Sequence, residues 1–448
     1  MNRQSTPPDP WLTRASAVSL PGKVLRFLAP VCGLALLALA AGFWQFDRGL
    51  YFRFLALWRL PTLPEPFADW QAVVSVMHCA ARGVDVYLPS RCGVFSYSPL
   101  WSWAGLIPTD WPWRIGAGLT IDSAFFASLW FVYRPRGWGD AALFTLACVS
   151  PAAAYAAERA NVDLILFLMM LPAAALAGGG PVRRATAYLF IGIAGLLKFY
   201  PFAAFAIALR ETTRSFLVIA LFALAALAAL LFAIRGDLAP LAAGMPMAGG
   251  GHDLGAFGAP SLLYLLLESG AWPIASQVSL AVVTLGCLVL SVVAARQPGL
   301  ARALSRLDDR DGAGLVIGAA IMVGCFFVGE SNNYRAIFLI LVVAGLLSLR
   351  RVADDAATRR LLAWLVAGAL VLMWFRAAQL AFYPGGKLVP GFSVFMAEMI
   401  WWRELIWWGV IALLLGLLMI FAARSRSLAF LRPWLVDGLG IGAADRRP

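Results

Sequence analysis

The sequence predicts an all-α, polytopic membrane protein, and three observations carry that reading. Of its 448 residues, 61% are hydrophobic and only 13% are charged, with a mean hydropathy of +0.79. So little polar surface cannot clothe a soluble globule of this size. Apolar runs of about twenty residues, the length of a membrane span, recur between connections that carry arginine. A net charge of +12 would suggest nucleic acid as the partner of a soluble chain. Here it follows from arginines gathering in cytoplasmic loops, so membrane lipids, and no nucleic acid, are the expected partners.

Taken in order, residues 1–23 form a polar cytoplasmic tail, and the apolar run 24–46 lacks a small-residue cleavage site, so it reads as a retained first span. Residues 47–112 then lie outside. Within them, 65–103 carries Asp69, His78, Arg82, Asp85 and Arg91 among tyrosines and tryptophans, too polar to cross and too rich for a spacer. Trp70, Val73, Val74 and Met77 recur at helical spacing. They predict a short amphipathic helix at the membrane surface with Asp69 at its start, where an aspartate commonly serves as N-cap. Residues 97–107 are too short to cross and predict a partial helix.

Spans follow at 113–133, ending at Arg134 and Arg136; at 138–157, ending at the outer turn Glu158-Arg159-Ala160-Asn161; and at 162–177, returning to Arg183 and Arg184. Residues 185–209 carry Lys198-Phe199-Tyr200-Pro201 near their middle. A lysine there needs a polar partner, and Pro201 removes a helix hydrogen bond. A hairpin of two half-helices is preferred to a single crossing because it leaves Arg210 and Arg214 inside. Residues 215–234 exit to the outer loop 236–271, which holds Asp237, His252 and Asp253. The run 272–295 enters towards Arg296, Arg302, Arg306 and Arg310; 313–329 exits to Glu330; 336–349 returns to Arg350 and Arg351; 361–380 exits to an outer loop 381–403 with Lys387, Glu398 and Arg403; and 404–423 enters to a basic cytoplasmic tail, 424–448. The expectation is one domain over 1–448, about ten full crossings plus the hairpin, and both termini cytoplasmic.

The outer loops hold both histidines and the long connections, so the working face is expected outside. HExxH, paired CxxC and GxxxxGK[ST] patterns are absent from the sequence, and two histidines are too few for a histidine-rich site, so neither metal nor cofactor is expected. Cys32, Cys148, Cys287 and Cys325 fall in spans, whereas Cys79 and Cys92 flank the first outer loop and either pair in an oxidising compartment or stay thiols.

Several outer motifs together resemble a family. Asp69-Trp70, then Arg82-Gly83-Val84-Asp85-Val86-Tyr87, then Tyr97-Ser98-Pro99 is similar to the first outer loop of the GT-C superfamily of glycosyltransferases, above all the polyprenyl-phosphate-mannose-dependent α-mannosyltransferases of glycosyltransferase family 87. Asn161-Val162-Asp163 resembles that family's Gly-Asn-x-Asp motif, with Ala160 in place of the glycine. Leu197-Lys198-Phe199-Tyr200-Pro201 resembles its Lys-x-Tyr-Pro element, Gly258-Ala259-Pro260-Ser261 its serine-containing outer motif, and Asn333-Tyr334-Arg335 its Asp-Tyr-Arg segment, with Asn333 in place of the acid.

The resemblance implies a GT-C-like helical bundle with an outer-face catalytic loop in a bacterial cytoplasmic (inner) membrane. It implies transfer of a sugar, mannose first, from a polyprenyl-phosphate donor to a lipid or glycan acceptor of the cell envelope, by single-displacement inversion. An activated lipid-phosphate sugar asks the protein for a base, orientation and counter-charges rather than for a nucleotide site. Asp69 matches the general base. Asp85 competes with it, but its setting looks like a turn preceding a tyrosine anchor. Lys198 and Arg335 are candidates for the lipid phosphate, against pairing of Lys198 with Asp163 and simple interfacial anchoring by Arg335. Tyr97, Asp85, Asn161, Asp163 and His252 complete the expected substrate contacts. Trp101, Trp103, Trp401 and Trp402 read as an interfacial aromatic belt. The rival classes are a surface-polysaccharide polymerase or ligase and a lipid-sugar flippase or transporter.

Overall fold

A computed structural model describes residues 20–58, 60, 63–88, 92, 95, 97–237, 239, 256–381 and 393–442, and these are overwhelmingly helical. Among them, seven helices are long and apolar enough to cross a membrane: Gly22–Phe46, Pro112–Val132, Thr213–Ala233, Pro273–Ala295, Asp309–Val328, Ala356–Ala378 and Glu398–Ala423. An eighth is a broken pair, Trp138–Cys148 and Pro151–Glu158, bent by 42°. The break has a local cause: Pro151 supplies no N–H and disfavours helical backbone at Ser150, whose hydroxyl instead caps the second half through Ala153 N. The chain is thus an all-α, multi-pass membrane protein.

Leu339–Val352, buried from Leu339 to Leu349, runs through the centre and packs against Asp309–Val328. Gly345 permits that approach, since a Cβ there would sit 2.5 Å from the Leu315 side chain. Thr213–Ala233 lies at the periphery with a single buried residue, Leu230.

One expected boundary is corrected. Ser393–Ala423 is one continuous helix, so residues 393–403 are not loop and the last span starts before 404. Its run of bulky apolar residues offers no turn signal to stop it. The stretch 236–271 contains the helix Ala259–Glu268, and 47–112 contains Arg48–Leu57, whose start is capped by Asp47 through Leu50 N at 3.1 Å, as well as Ala68–Ala81. The partial helix expected over 97–107 is the 3-10 segment Pro99–Leu106.

The Lys198 region is a hairpin. Pro181–Leu197 ends at Lys198 and the 3-10 segment Tyr200–Arg210 runs back along it. Phe202 closes on Gly195, the Phe205 ring stacks on Tyr188 at 6.4 Å, and Arg184 and Tyr188 both reach Glu211 at 2.7 Å. The arms are antiparallel, which puts Arg184 and Arg210 at one end and Lys198 at the tip.

That end carries a ring of arginine contacts between elements: Arg210 with Asp309, Arg351 with Asp140, Arg306 with Asp354, Arg302 with Asp355, and Arg310 with the Phe131 carbonyl. The opposite end gathers Asp69, Asn161, Lys198, Arg335 and a two-residue antiparallel ladder, Ala256–Phe257 against Ser331–Asn332.

Candidate active site at the Asp69 end

Asp69 is the second residue of the Ala68–Ala81 helix and not its N-cap; Phe67 holds that position with φ of 60° and makes no side-chain cap bond. The carboxylate is therefore free to point across to another segment. Its Oδ1 accepts from Arg159 at 3.0 Å and its Oδ2 from Asn161 Nδ2 at 2.5 Å. Two main-chain bonds, Phe67 N to the Glu158 carbonyl at 2.7 Å and Trp70 N to the Arg159 carbonyl at 3.3 Å, fasten the start of this helix to the 158–161 turn.

Asn161 explains the next link. It is the N-cap of Val162–Ala177, and its Oδ1 accepts from Asp163 N at 2.9 Å. An amide has an acceptor and a donor on the same group, so one side chain caps a helix and holds Asp69. The residue before it, Ala160, has φ of 42°. Phe67 and Ala160 are the two non-glycine residues with left-handed backbone among those described, and each lies within two positions of this carboxylate–amide contact. Such strain of roughly 1–3 kcal/mol persists only where surroundings over-determine it. Here the two cross-chain main-chain bonds do so.

Asp163, with a fully buried side chain, carries the constellation onward. Its Oδ1 accepts from Lys198 Nζ at 2.5 Å, and Arg335 Nε lies 3.9 Å from its Oδ2. Lys198 thus takes the ion pair that was the alternative to phosphate contact. Its ammonium also lies over the rings of Tyr97, Tyr200 and Tyr334, at 5.0, 5.7 and 5.7 Å, and Arg335 lies over Tyr200 at 4.8 Å. Burial, with Tyr334, Asp69 and Asp163 nearby, pushes the Tyr97 phenol well above its ordinary pKa, so it presents a neutral hydroxyl.

Six of the expected residues, Asp69, Tyr97, Asn161, Asp163, Lys198 and Arg335, therefore meet in one place. Asp85 does not join them: its Oδ1 accepts from Tyr87 N at 2.9 Å, a turn that sets up the Tyr87 hydroxyl to donate to the Tyr97 carbonyl at 3.4 Å. His252 and Lys387 lie outside the described residues. Cys79 and Cys92 are disulfide-bonded, which resolves the two alternatives left open above and ties the end of the Ala68–Ala81 helix to the loop behind it. Trp101 is corrected from the aromatic belt to the core: it is fully buried and donates from Nε1 to the Leu197 carbonyl at 3.1 Å, directly before Lys198. Trp103 and Trp402 are exposed.

Arg159, Tyr200 and Tyr334 were missed as site residues, although each lies inside or beside a motif already singled out. Arg376 also approaches, 4.8 Å from the centre of the Tyr155 ring, which Arg159 approaches to 4.7 Å; nothing in the sequence around Arg376 marks it. Gly258, with φ of 134°, and Ser261, whose Oγ donates to Glu330 at 3.5 Å, brace the strand that leads into Asn333-Tyr334-Arg335. A Cβ at Gly258 would fall 2.5 Å from the Gly329 carbonyl oxygen. Among the described residues, no three His, Cys, Asp or Glu side chains converge in a way that would hold a metal.

A side-chain constellation of this kind offers a partly buried carboxylate held by two donors, and two cations held beside one fully buried carboxylate. Each oxygen of Asp69 keeps a further lone pair for an incoming proton, and Lys198 keeps two further N–H bonds for an anion. Compared with protein-family models, curated proteins and solved structures, the chain finds no match.

Proposed function

We propose that this protein is a membrane glycosyltransferase that moves a sugar, mannose first, from a polyprenyl-phosphate donor to a lipid or glycan acceptor of the cell envelope. The observation that supports this most is the meeting of Asp69, Asn161, Asp163, Lys198 and Arg335, from four distant stretches of chain, in one network. Each comes from a motif that resembles the GT-C family, and each offers the chemistry the reaction needs.

Asp69 takes the proton from the acceptor hydroxyl as its oxygen attacks the anomeric carbon. The bond from that carbon to the phosphate oxygen breaks on the opposite face, and the electron pair leaves on the phosphate. Lys198 and Arg335 neutralise the departing charge, and Asp163 holds both in place. Arg159 and Asn161 orient the base. On the same reading the site faces the outer side of a bacterial cytoplasmic membrane, about ten crossings are made if the short helices Val162–Ala177 and Leu339–Val352 are counted, and both termini are cytoplasmic. The arginine ring at the opposite end fits the cytoplasmic bias of Lys and Arg, and the Cys79–Cys92 bridge fits an oxidising compartment.

The test is sugar transfer by purified protein with a defined polyprenyl-phosphate mannose. Asp69→Asn is expected to lower turnover by about a hundredfold or more while donor binding is retained. Asp85→Asn, which keeps an oxygen for Tyr87 N, is expected to stay near wild type. Equal activity of Asp69→Asn and wild-type protein overturns the assignment of the base.

A further inference from the structure

A large cavity lies at the arginine-rich end, away from Asp69. It measures about 870 Å³ and is lined by Arg184, Arg210, Arg424, Arg426 and Arg432 with Glu211 as its acidic lining residue. Glu211 is already occupied by Arg184 and Tyr188, and Arg210 by Asp309. Arg424 is turned towards the Ala301 carbonyl and Arg432 donates to the Arg424 carbonyl at 3.3 Å, so these two cations are held close together by main-chain acceptors and not by a carboxylate. Arg426 is exposed beside them. Three like charges gathered at one rim, none of them in an ion pair among the described residues, favour an anion.

The shape adds what charge alone does not. The cavity shares Arg184, Glu211 and Ser215 with an apolar groove of about 590 Å³. Leu189, Ile193 and Leu196 from the Pro181–Leu197 helix, Phe202 and Phe205 from the returning arm of the hairpin, and Phe222 from Thr213–Ala233 line this groove. From Arg184 to Leu196 the helix rises roughly 18 Å at 1.5 Å per residue, enough for a chain that spans one leaflet of a roughly 30 Å hydrocarbon core. The Thr213–Ala233 helix that closes the groove is almost wholly exposed on its other faces, where lipid would surround it. Phe430 and Trp434, 68% and 62% exposed, flank the basic rim as interfacial aromatic side chains do.

We propose that this composite site holds one anionic phospholipid, with its phosphate head in the arginine cavity and an acyl chain in the groove. The bound lipid fills the space beside the Pro181–Leu197 and Tyr200–Arg210 hairpin, and so braces the element that presents Lys198 at its far tip. The assignment does not depend on the reaction proposed above.

The experiment uses the full-length protein in nanodiscs of phosphatidylcholine with a tenth part phosphatidylglycerol, and native mass spectrometry after release to count retained lipids. Wild type is expected to retain phosphatidylglycerol at least tenfold over its share of the bilayer. The double variant Arg426→Gln/Arg432→Gln, at exposed positions that leave the fold intact, is expected to lower this enrichment roughly tenfold or more. Gly192→Leu, which fills the groove, is expected to lower it while leaving the binding of glycerol 1-phosphate unchanged. Equal retention of both phospholipids, unchanged enrichment in both variants, or glycerol 1-phosphate binding as tight as that of the phospholipid each overturns the proposal. So does displacement of the lipid by polyprenyl phosphate in wild type but not in Lys198→Met, since the groove would then belong to a donor held at Lys198.

Discussion

Asn161 does two things with one amide, and few residues can replace it. Serine or aspartate at this position would still cap Val162–Ala177 but would give up the N–H that reaches Asp69 Oδ2 at 2.5 Å. Asn161→Asp in addition sets two carboxylates against each other, so a loss of roughly 1–3 kcal/mol is expected in thermal or denaturant unfolding, against a few tenths for Asn161→Ser at the cap itself. At the neighbouring position, Ala160→Gly relieves left-handed backbone at φ of 42° but frees the unfolded chain, so the two terms nearly cancel and a change under about 1 kcal/mol is expected; Ala160→Val, which has only the penalty, should destabilise by more than that. The Lys198–Asp163 pair gives the largest effect. Asp163 is 0% exposed, so Lys198→Met leaves a buried carboxylate with Arg335 3.9 Å away as its nearest cation and is expected to cost about 3–5 kcal/mol. Adding Asp163→Asn should recover most of that stability without restoring donor binding, a separation that unfolding and binding measurements read independently.

At the level of elements, much of the architecture was legible because apolar length and arginine placement are strong signals: the first span, the Pro112–Val132 and Pro273–Ala295 helices and the short Ala68–Ala81 helix lie close to where periodicity and turn residues put them. The hairpin was legible for a different reason. Lys198 and Pro201 made one crossing costly, and the charge rule chose the other path. What escaped were features fixed by contact across the chain. Asp69 looked like a cap because aspartate often is one, whereas the cap position falls at Phe67, whose N–H, like that of Trp70, donates to a carbonyl of the 158–159 turn. Trp101 looked interfacial because tryptophan in a membrane protein usually is, yet it is buried beneath the hairpin tip with its indole on the Leu197 carbonyl. Trp101→Phe drops that bond and leaves a smaller ring in a fully buried site, so a loss of about 2–3 kcal/mol and a lower affinity for polyprenyl phosphate are expected together, the second because the Leu197 carbonyl precedes Lys198.

For the whole molecule, the separation of its two ends makes a topological prediction. Single cysteines introduced at Glu65 and Asp110 should react with a membrane-impermeant maleimide in intact cells, and those at Arg136, Arg306 and Arg359 only after permeabilisation. Labelling of Glu65 and Arg306 from the same side would overturn the sidedness of the proposed site. The bridge between Cys79 and Cys92 adds a time axis to that picture. The ribosome delivers two thiols, and the loop between them becomes a closed ring only after it meets an oxidant, so insertion of the helices and closure of the ring are separate events. A cell unable to make disulfides would accumulate the protein at full length and correctly inserted but unfinished, with the loop around Asp85 and Tyr87 open to proteases that the mature form resists.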